Sequence, residues 1–306
     1  MHGILVIDKP EGPTSFDMVR QVRRWCGVRK VGHAGTLDPF ATGVLPVAVG
    51  QATRLIEYLM AGDKEYEATM RLGAATDTQD LHGQVLTTGD WRQVTCEQVQ
   101  AVIAPLVGEI DQLPPMFSAL KRDGQPLYRL ARQGIEVARE PRRVRIDRIE
   151  LLDFSPPDIR LRVACGKGVY IRTLCHDIGA TLGCGAHLVQ LRRTRCGRFT
   201  EADALPPEEL ACRAAAGEAL PLIPPAEALA DWPGIALSGA VLTRLQHGVV
   251  PRRDELPALN DLTAGSLIRF LDGADLIALA RYSPATGADR SADFELLKVF
   301  PRCAAG

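Results

Sequence analysis

Gly32-His33-Ala34-Gly35-Thr36-Leu37-Asp38-Pro39-Phe40-Ala41-Thr42-Gly43-Val44-Leu45 holds three glycines, one carboxylate and almost no other charge. Glycine reaches backbone conformations that other residues avoid, so Gly32, Gly35 and Gly43 around an Asp-Pro step predict a tight, shaped turn. Such a turn can present Asp38 at the floor of a cleft. An isolated Asp-Pro step would only make an Asx-turn ahead of Pro39, and the choice between the two rests on what surrounds it.

Upstream, Gly3–Ile7 is a short branched apolar run that reads as a buried strand ending at Lys9-Pro10. Ser15 is the expected N-cap of a helix with Met18, Val19, Val22 and Trp25 on one face. Downstream, 44–49 reads as a second buried strand and 52–60 as a helix. In 64–72, alternation turns Tyr66, Ala68, Met70 and Leu72 to one side of a strand, so Tyr66 faces inward, where a tyrosine ordinarily packs in the core. Thr76-Asp77-Thr78-Gln79-Asp80 reads as a polar turn, and Thr95 caps a helix ending at Gly108.

From about 111 to 140 the character changes. Pro114-Pro115, a Lys121-Arg122-Asp123-Gly124 turn and a mixed helix near 128–133 predict an insertion with little core of its own. Strands follow at 145–151 and 159–165, then a helix over 170–182 and a strand over 188–195 with Arg193 and Arg195 on its outer side. Arg172 opens that helix, where a cation opposes the helix dipole, so a carboxylate nearby is expected to compensate it. The 206–232 stretch reads as loose helices and a connector, and 236–306 as short strands around turns such as Asp272-Gly273.

Composition sets the outer bounds. The chain has 306 residues, 46% of them hydrophobic, and a net charge of -1, which suits an ordinary globular protein and argues against a uniformly basic binder. Arginine is nevertheless clustered, at Arg20, Arg23, Arg24 and Arg29, at Arg139, Arg142, Arg143, Arg145 and Arg148, and at Arg192, Arg193, Arg195 and Arg198. Guanidinium forks suit RNA phosphates. No apolar run approaches the roughly eighteen residues of a membrane span and no leader pattern opens the chain, so a cytoplasmic protein is expected. Its eight cysteines are then expected as reduced, buried small hydrophobes, and none falls in a Cys-x-x-Cys pair.

The stretch around Asp38 resembles the catalytic motif of the TruB family, bacterial pseudouridine synthases acting on uridine 55 in the TΨC loop of tRNA. Family-like segments recur in order at Asp8-Lys9-Pro10, Lys64-Glu65-Tyr66, Thr76-Asp77-Thr78, 114–121, 168–174 and Leu191-Arg192-Arg193, so the resemblance covers most of the chain. It implies an α+β pseudouridine synthase fold with a central mixed, largely antiparallel sheet over 1–235. It also implies a thumb-like RNA-binding insertion at about 111–140 and a small β-rich PUA-like domain over 236–306.

The reaction detaches uracil from C1' of its ribose, turns it and reattaches it through C5. No electron or group leaves, so no metal or cofactor is required. By resemblance, Asp38 opens the reaction, Tyr66 stacks on the base and can take the C5 proton, and Arg172 pairs with Asp38 to hold it charged. Leu191, Tyr170 and Lys64 belong to the substrate pocket, His33 contacts the RNA, and Arg143 and Arg193 meet phosphates. The expected partner is the tRNA T arm, bound by a monomer without an obligatory protein partner or membrane. Two rival readings are an RNA-folding chaperone gripping the T arm and a guide-dependent H/ACA-type synthase. The Asp38, Tyr66 and Arg172 set favours catalysis over the first, and the compact layout argues against the second.

Overall fold

The computed structural model describes residues 1–118, 120–122, 124–257, 262–284 and 293–300. Asp123 of the expected turn and residues 301–306 of the C-terminal unit lie outside them.

In chain order the elements are β1 (Gly3–Lys9), α1 (Ser15–Cys26), β2 (Val31–His33), β3 (Thr42–Val49), a 3-10 turn Gly50–Leu55 running into α2 (Ile56–Ala61), β4 (Lys64–Leu72), β5 (Ala74–Thr76), β6 (Val85–Thr88), α3 (Cys96–Ile103) and β7 (Gly108–Gln112). Then come β8 (Lys121–Arg122), β9 (Gln125–Pro126), α4 (Leu127–Arg132), β10 (Arg142–Ser155), β11 (Asp158–Cys165), α5 (Ile171–Thr181), β12 (Ala186–Cys196), β13 (Phe199–Thr200) and α6 (Pro207–Ala215). The last elements are β14 (Gly234–Ala236), α7 (Gly239–Gln246), β15 (Leu267–Asp272), β16 (Asp275–Tyr282) and β17 (Phe294–Val299).

The main sheet runs β1-β3-β12-β4-β11-β10-β7, with β2 added to β3 and β13 to β12. It is the mixed, largely antiparallel sheet expected: only the β12–β3 pair in it is parallel. Alternation decides what each face does. Leu5, Ile7, Leu45, Met70 and Leu161 turn to one side, under Met18, Val19 and Val22 of α1, Val99 of α3, Leu174 and Ile178 of α5 and Leu210 of α6. Ile4, Val6, Val44 and Ala48 turn to the other, where Leu55, Phe199, Leu229, Leu276, Leu279 and Phe300 cover them.

Beyond β12 that second face is polar. Arg160 and Arg162 pair with Glu67, Arg162 and Arg148 with Glu150, and Arg148 with Glu65, an ion-pair ladder across β11, β4 and β10. Much of the second and third arginine clusters is therefore neutralised by acidic neighbours, including Asp63 for Arg145 and Asp8 with Glu201 for Arg192.

A second sheet, β14-β15-β16-β17, carries its own core of Ile235, Leu245, Ile268, Phe270, Ile277 and Phe294. It is fastened to the first body by Arg54, stacked 5.0 Å from the Phe300 ring centroid, and by Lys298 on Glu57 at 2.8 Å. No helix among the described residues is long and apolar enough to cross a membrane.

Three local expectations change. Thr14, not Ser15, caps α1: its side chain accepts from the Asp17 N–H while the Asp17 carboxylate accepts from the Thr14 N–H, a capping box that leaves Ser15 inside the helix. The 52–60 helix is a 3-10 turn followed by α2. The 206–232 stretch contains a regular helix, α6, because Leu210 plugs fully into the main core under α1.

Candidate active site

The Asp38 loop leaves β2 and returns as β3, and its shape is imposed from beneath. Ala34 N–H donates to Pro46 O at 2.8 Å and Ala41 N–H to Asp38 O at 3.1 Å, closing the turn on itself. Gly43 has φ of +98°, and a Cβ there would stand 2.3 Å from the Arg193 carbonyl oxygen, so both its conformation and its neighbour demand glycine.

Three side chains hold this loop by its main chain. Ser15 Oγ donates to Leu37 O at 3.0 Å and accepts from Leu37 N–H at 2.8 Å. Lys9, fully buried, donates from Nζ to Pro10 O, Pro39 O and Ala41 O at 2.9, 3.0 and 2.7 Å. Burial pulls its pKa down to about 8. Arg193 Nε donates to Val44 O at 2.8 Å and Nη2 to Gly35 O at 3.2 Å.

Asp38 meets Arg172, the second residue of α5: Nε lies 3.1 Å from Oδ2. The compensating carboxylate expected for Arg172 is thus Asp38. Arg172 is shared, however. It also lies 3.3 Å from Asp80 Oδ2 and donates to Thr78 O at 3.1 Å and Phe117 O at 2.7 Å. Arg172 is thus divided among two carboxylates and two carbonyls. Burial pushes the Asp38 carboxyl above its ordinary value, against Arg172, with Asp80 adding to the rise and Lys9 opposing it.

Asp80 is the residue that sequence reasoning missed. Its carboxylate accepts from the Thr78 hydroxyl at 2.7 Å and the His82 N–H at 3.0 Å, and its side chain is 8% exposed. The only trace of it was a turn rich in Asp and Thr, a pattern that solvated turns share.

Tyr66 lies on β4 directly across from Arg193 on β12, whose guanidinium lies beside its hydroxyl. Burial raises the phenol to about 12, with Arg193 opposing. Arg193 itself is 1% exposed, so the expected outward-facing phosphate contact is corrected. Leu191, two residues earlier on the same face of β12, is buried beside Ala68.

Tyr170, at the N-cap of α5, is pinned through its backbone by Gln112, which accepts from its N–H at 2.8 Å and donates to its carbonyl at 3.1 Å. His33 ends β2 with Nδ1 buried and unpartnered, and burial lowers its pKa. Lys64 is turned aside: its Nζ donates to Met60 O and Gly62 O, outside the Asp38–Arg172 group. Arg143, on β10, is largely exposed, 3.8 Å from Glu109.

A shaped loop holding one carboxylate against a buried arginine beside this mixed sheet is the site of a pseudouridylate synthase, the class its family model names. Solved structures share the fold: the archaeal box H/ACA sRNP Nop10-Cbf5 complex (TM-score 0.74, 28% identity, 98% of this chain and 86% of that one) and a Cbf5-Nop10-Gar1 complex (TM-score 0.75, 29%, 98% and 85%).

Residues 23–171 match the TruB family pseudouridylate synthase N-terminal domain and 172–229 the tRNA pseudouridylate synthase B C-terminal domain. Relatives named tRNA pseudouridine synthase B are 46% identical in Syntrophotalea carbinolica (98% of both chains) and 44% in Geobacter sulfurreducens (98% of this chain, 100% of that one). The protein in Symbiobacterium thermophilum is 51% identical over 82% of this chain and 83% of its own. The chain belongs to the TruB family of pseudouridylate synthases.

Proposed function

We propose that this chain isomerises uridine 55 in the TΨC loop of tRNA to pseudouridine, acting as a single protein on the T arm. The observation that carries the reading is the Asp38–Arg172 pair, 3.1 Å apart, with Asp38 on a loop whose main chain is bonded at Gly35, Leu37, Pro39, Ala41 and Val44.

A uridine stacked in a folded loop cannot reach that carboxylate, so the base is extruded first, at a cost of a few kcal/mol. The ring of Tyr66 stacks on the extruded uracil and Leu191 closes the wall beside it. Asp38, ionised, opens the reaction by attack on the ring or on C1', or by taking a proton at C2'. Once the new bond has formed, the C5 proton passes to the Tyr66 oxygen as the phenol hands its own proton to solvent, and N1 of the uracil takes one up. Asp38 is ionised when it opens the reaction and must be ionised again when the product leaves, and Arg172 is the cation positioned to favour that charge.

On this reading 1–235 form the catalytic unit and 111–140 a thumb over the RNA, rooted at the active site because Phe117 O accepts from Arg172. His33 meets the RNA beside the extruded base, Tyr170 supports the pocket, and Arg143 is free to turn to phosphate. The small sheet of 236–306 serves as a second, PUA-like RNA contact.

The test is tritium release from a T-arm stem-loop labelled at uridine C5. The natural chain releases tritium and Asp38→Asn does not, while T-arm affinity stays within about tenfold because phosphate contacts supply most of it. Release by Asp38→Asn would overturn the reading, and tight binding with no release by either protein would point to a chaperone.

A further inference from the structure

Arg193 combines features that a surface phosphate contact would not have. It is 1% exposed, and its backbone lies between the two strands that carry the site: Arg193 pairs with Gly43 on β3 and with Tyr66 on β4. Its guanidinium runs under the Asp38 loop, bonding Val44 O at 2.8 Å and Gly35 O at 3.2 Å, with Thr36 O at 3.5 Å. The same group lies beside the Tyr66 hydroxyl. It is paired with main-chain carbonyls, which fix direction as well as charge, rather than with a carboxylate.

We propose that Arg193 is a positioning residue for the isomerisation: one guanidinium sets the Asp38 loop and the Tyr66 ring in mutual register, so that carboxylate and stacking ring face the same uracil. This rests on the synthase reading above. A planar fork can serve carbonyls on both arms of the loop and a phenol together, whereas an ammonium, a point donor on a flexible stem, cannot reach them all. Arg193 meets the Tyr66 hydroxyl but no atom of the uridine. Its effect is geometric, and it is present before substrate arrives, because every partner named here belongs to the protein.

The position of Gly43 supports the same conclusion. A side chain there would push on the backbone carbonyl of Arg193 itself, so the loop and the arginine are fitted to each other from both ends of the residue. The neighbouring Arg192 provides the contrast: it faces the other way, to Asp8 and Glu201, and is about a third exposed.

The test compares the natural chain, Arg193→Lys and Arg192→Lys in steady-state tritium release from the T-arm stem-loop, with urea unfolding run alongside. Arg193→Lys keeps the buried charge and loses the fork, so kcat is expected to fall about 100-fold. KM should stay within about threefold, because RNA phosphates are bound elsewhere. Arg192→Lys should leave both constants nearly unchanged. Equal loss in kcat and KM, or full activity in folded Arg193→Lys, overturns the proposal.

If Arg193→Lys does not fold, the natural protein is tested directly by nuclear magnetic resonance with 15N-arginine. A guanidinium locked before substrate arrives gives a slowly exchanging Arg193 Nε–H whose shift is the same with and without the T arm. A rapidly exchanging signal in the free protein overturns the proposal. Failure of tritium release by the natural chain would instead strike the synthase reading.

Discussion

Arg172→Met asks whether one buried guanidinium serves two carboxylates. The Arg172 side chain is 6% exposed and that of Asp80 8%, while Asp38, though crowded enough by protein to raise its carboxyl, keeps an open face of 36% of its side-chain surface. Removing the cation therefore strands Asp80 far more than Asp38. An uncompensated buried charge costs about 3–5 kcal/mol, and the Thr78 hydroxyl and His82 N–H that Asp80 retains put this case near 3. The Thr78 and Phe117 carbonyls lose a donor each, adding about 1 kcal/mol apiece.

Asp80→Asn alone leaves Arg172 its other three partners and costs about 1–2 kcal/mol. In the double variant no charge is stranded at position 80, so the combined loss falls short of the sum by about 2 kcal/mol. Urea unfolding of the four proteins at neutral pH, with a common m-value, measures that coupling. Additivity within about 0.5 kcal/mol would refute the shared guanidinium.

Catalysis requires ionised Asp38, whose carboxyl is raised by burial, so kcat/KM should fall with decreasing pH along a limb above the ordinary carboxylate range. Asp80 adds to that rise, and Asp80→Asn is expected to move the limb to lower pH; a limb that stays in place would show that Asp80's charge does not reach Asp38. Lys9 has a folded pKa of about 8, below its unfolded value, so the folded chain releases this proton first and stability relative to Lys9→Met rises as pH climbs above 8. Paired melting curves across the alkaline range read that difference, and a constant difference would contradict it. Gly43→Ala combines a φ of +98° with a carbonyl 2.3 Å from the new Cβ and should cost more than about 3 kcal/mol. Gly12→Ala, at φ +106° with open space around it, should cost about 1–2 kcal/mol, and equal unfolding midpoints for the two would remove the steric argument.

The parts of the site that were legible are those carried by periodicity and by charge opposed to charge. Alternation in Lys64–Leu72 turned Tyr66 inward, and a cation at a helix start called for the carboxylate that Asp38 provides. Besides Asp80, hidden in a polar turn, what escapes are side chains satisfied by main-chain carbonyls, since a carbonyl leaves no mark on the sequence. Ser15 has the pattern of a cap, yet its hydroxyl serves Leu37, and Arg193 that of a surface arginine, yet it serves Gly35 and Val44.

For Arg193 the strand holds a usable signal: the resemblance puts Leu191 in the pocket, and a residue two positions along shares its face. The run of arginines from 192 to 198 argued the other way, and the register shift between Arg193 and Arg195 broke the alternation just beyond. The C-terminal sheet was legible as short strands, while its seam with the first body, made by Arg54 and Phe300 far apart in sequence, was not.

The strand order also has a consequence for how the protein is made. β12 fills the slot between β3 and β4, yet it is synthesised last of the three. A growing chain at roughly 5–20 residues per second carries that open slot for on the order of ten seconds between the appearance of Leu72 and of Cys196. Through that interval the carbonyls of Gly35 and Val44 await their arginine, and Tyr66 has no strand beside it on that edge. A ribosome-bound chain shorter than about two hundred residues is therefore catalytically silent whatever local structure it holds, and two unpaired strand edges are exposed to other nascent chains until the last strand is threaded home.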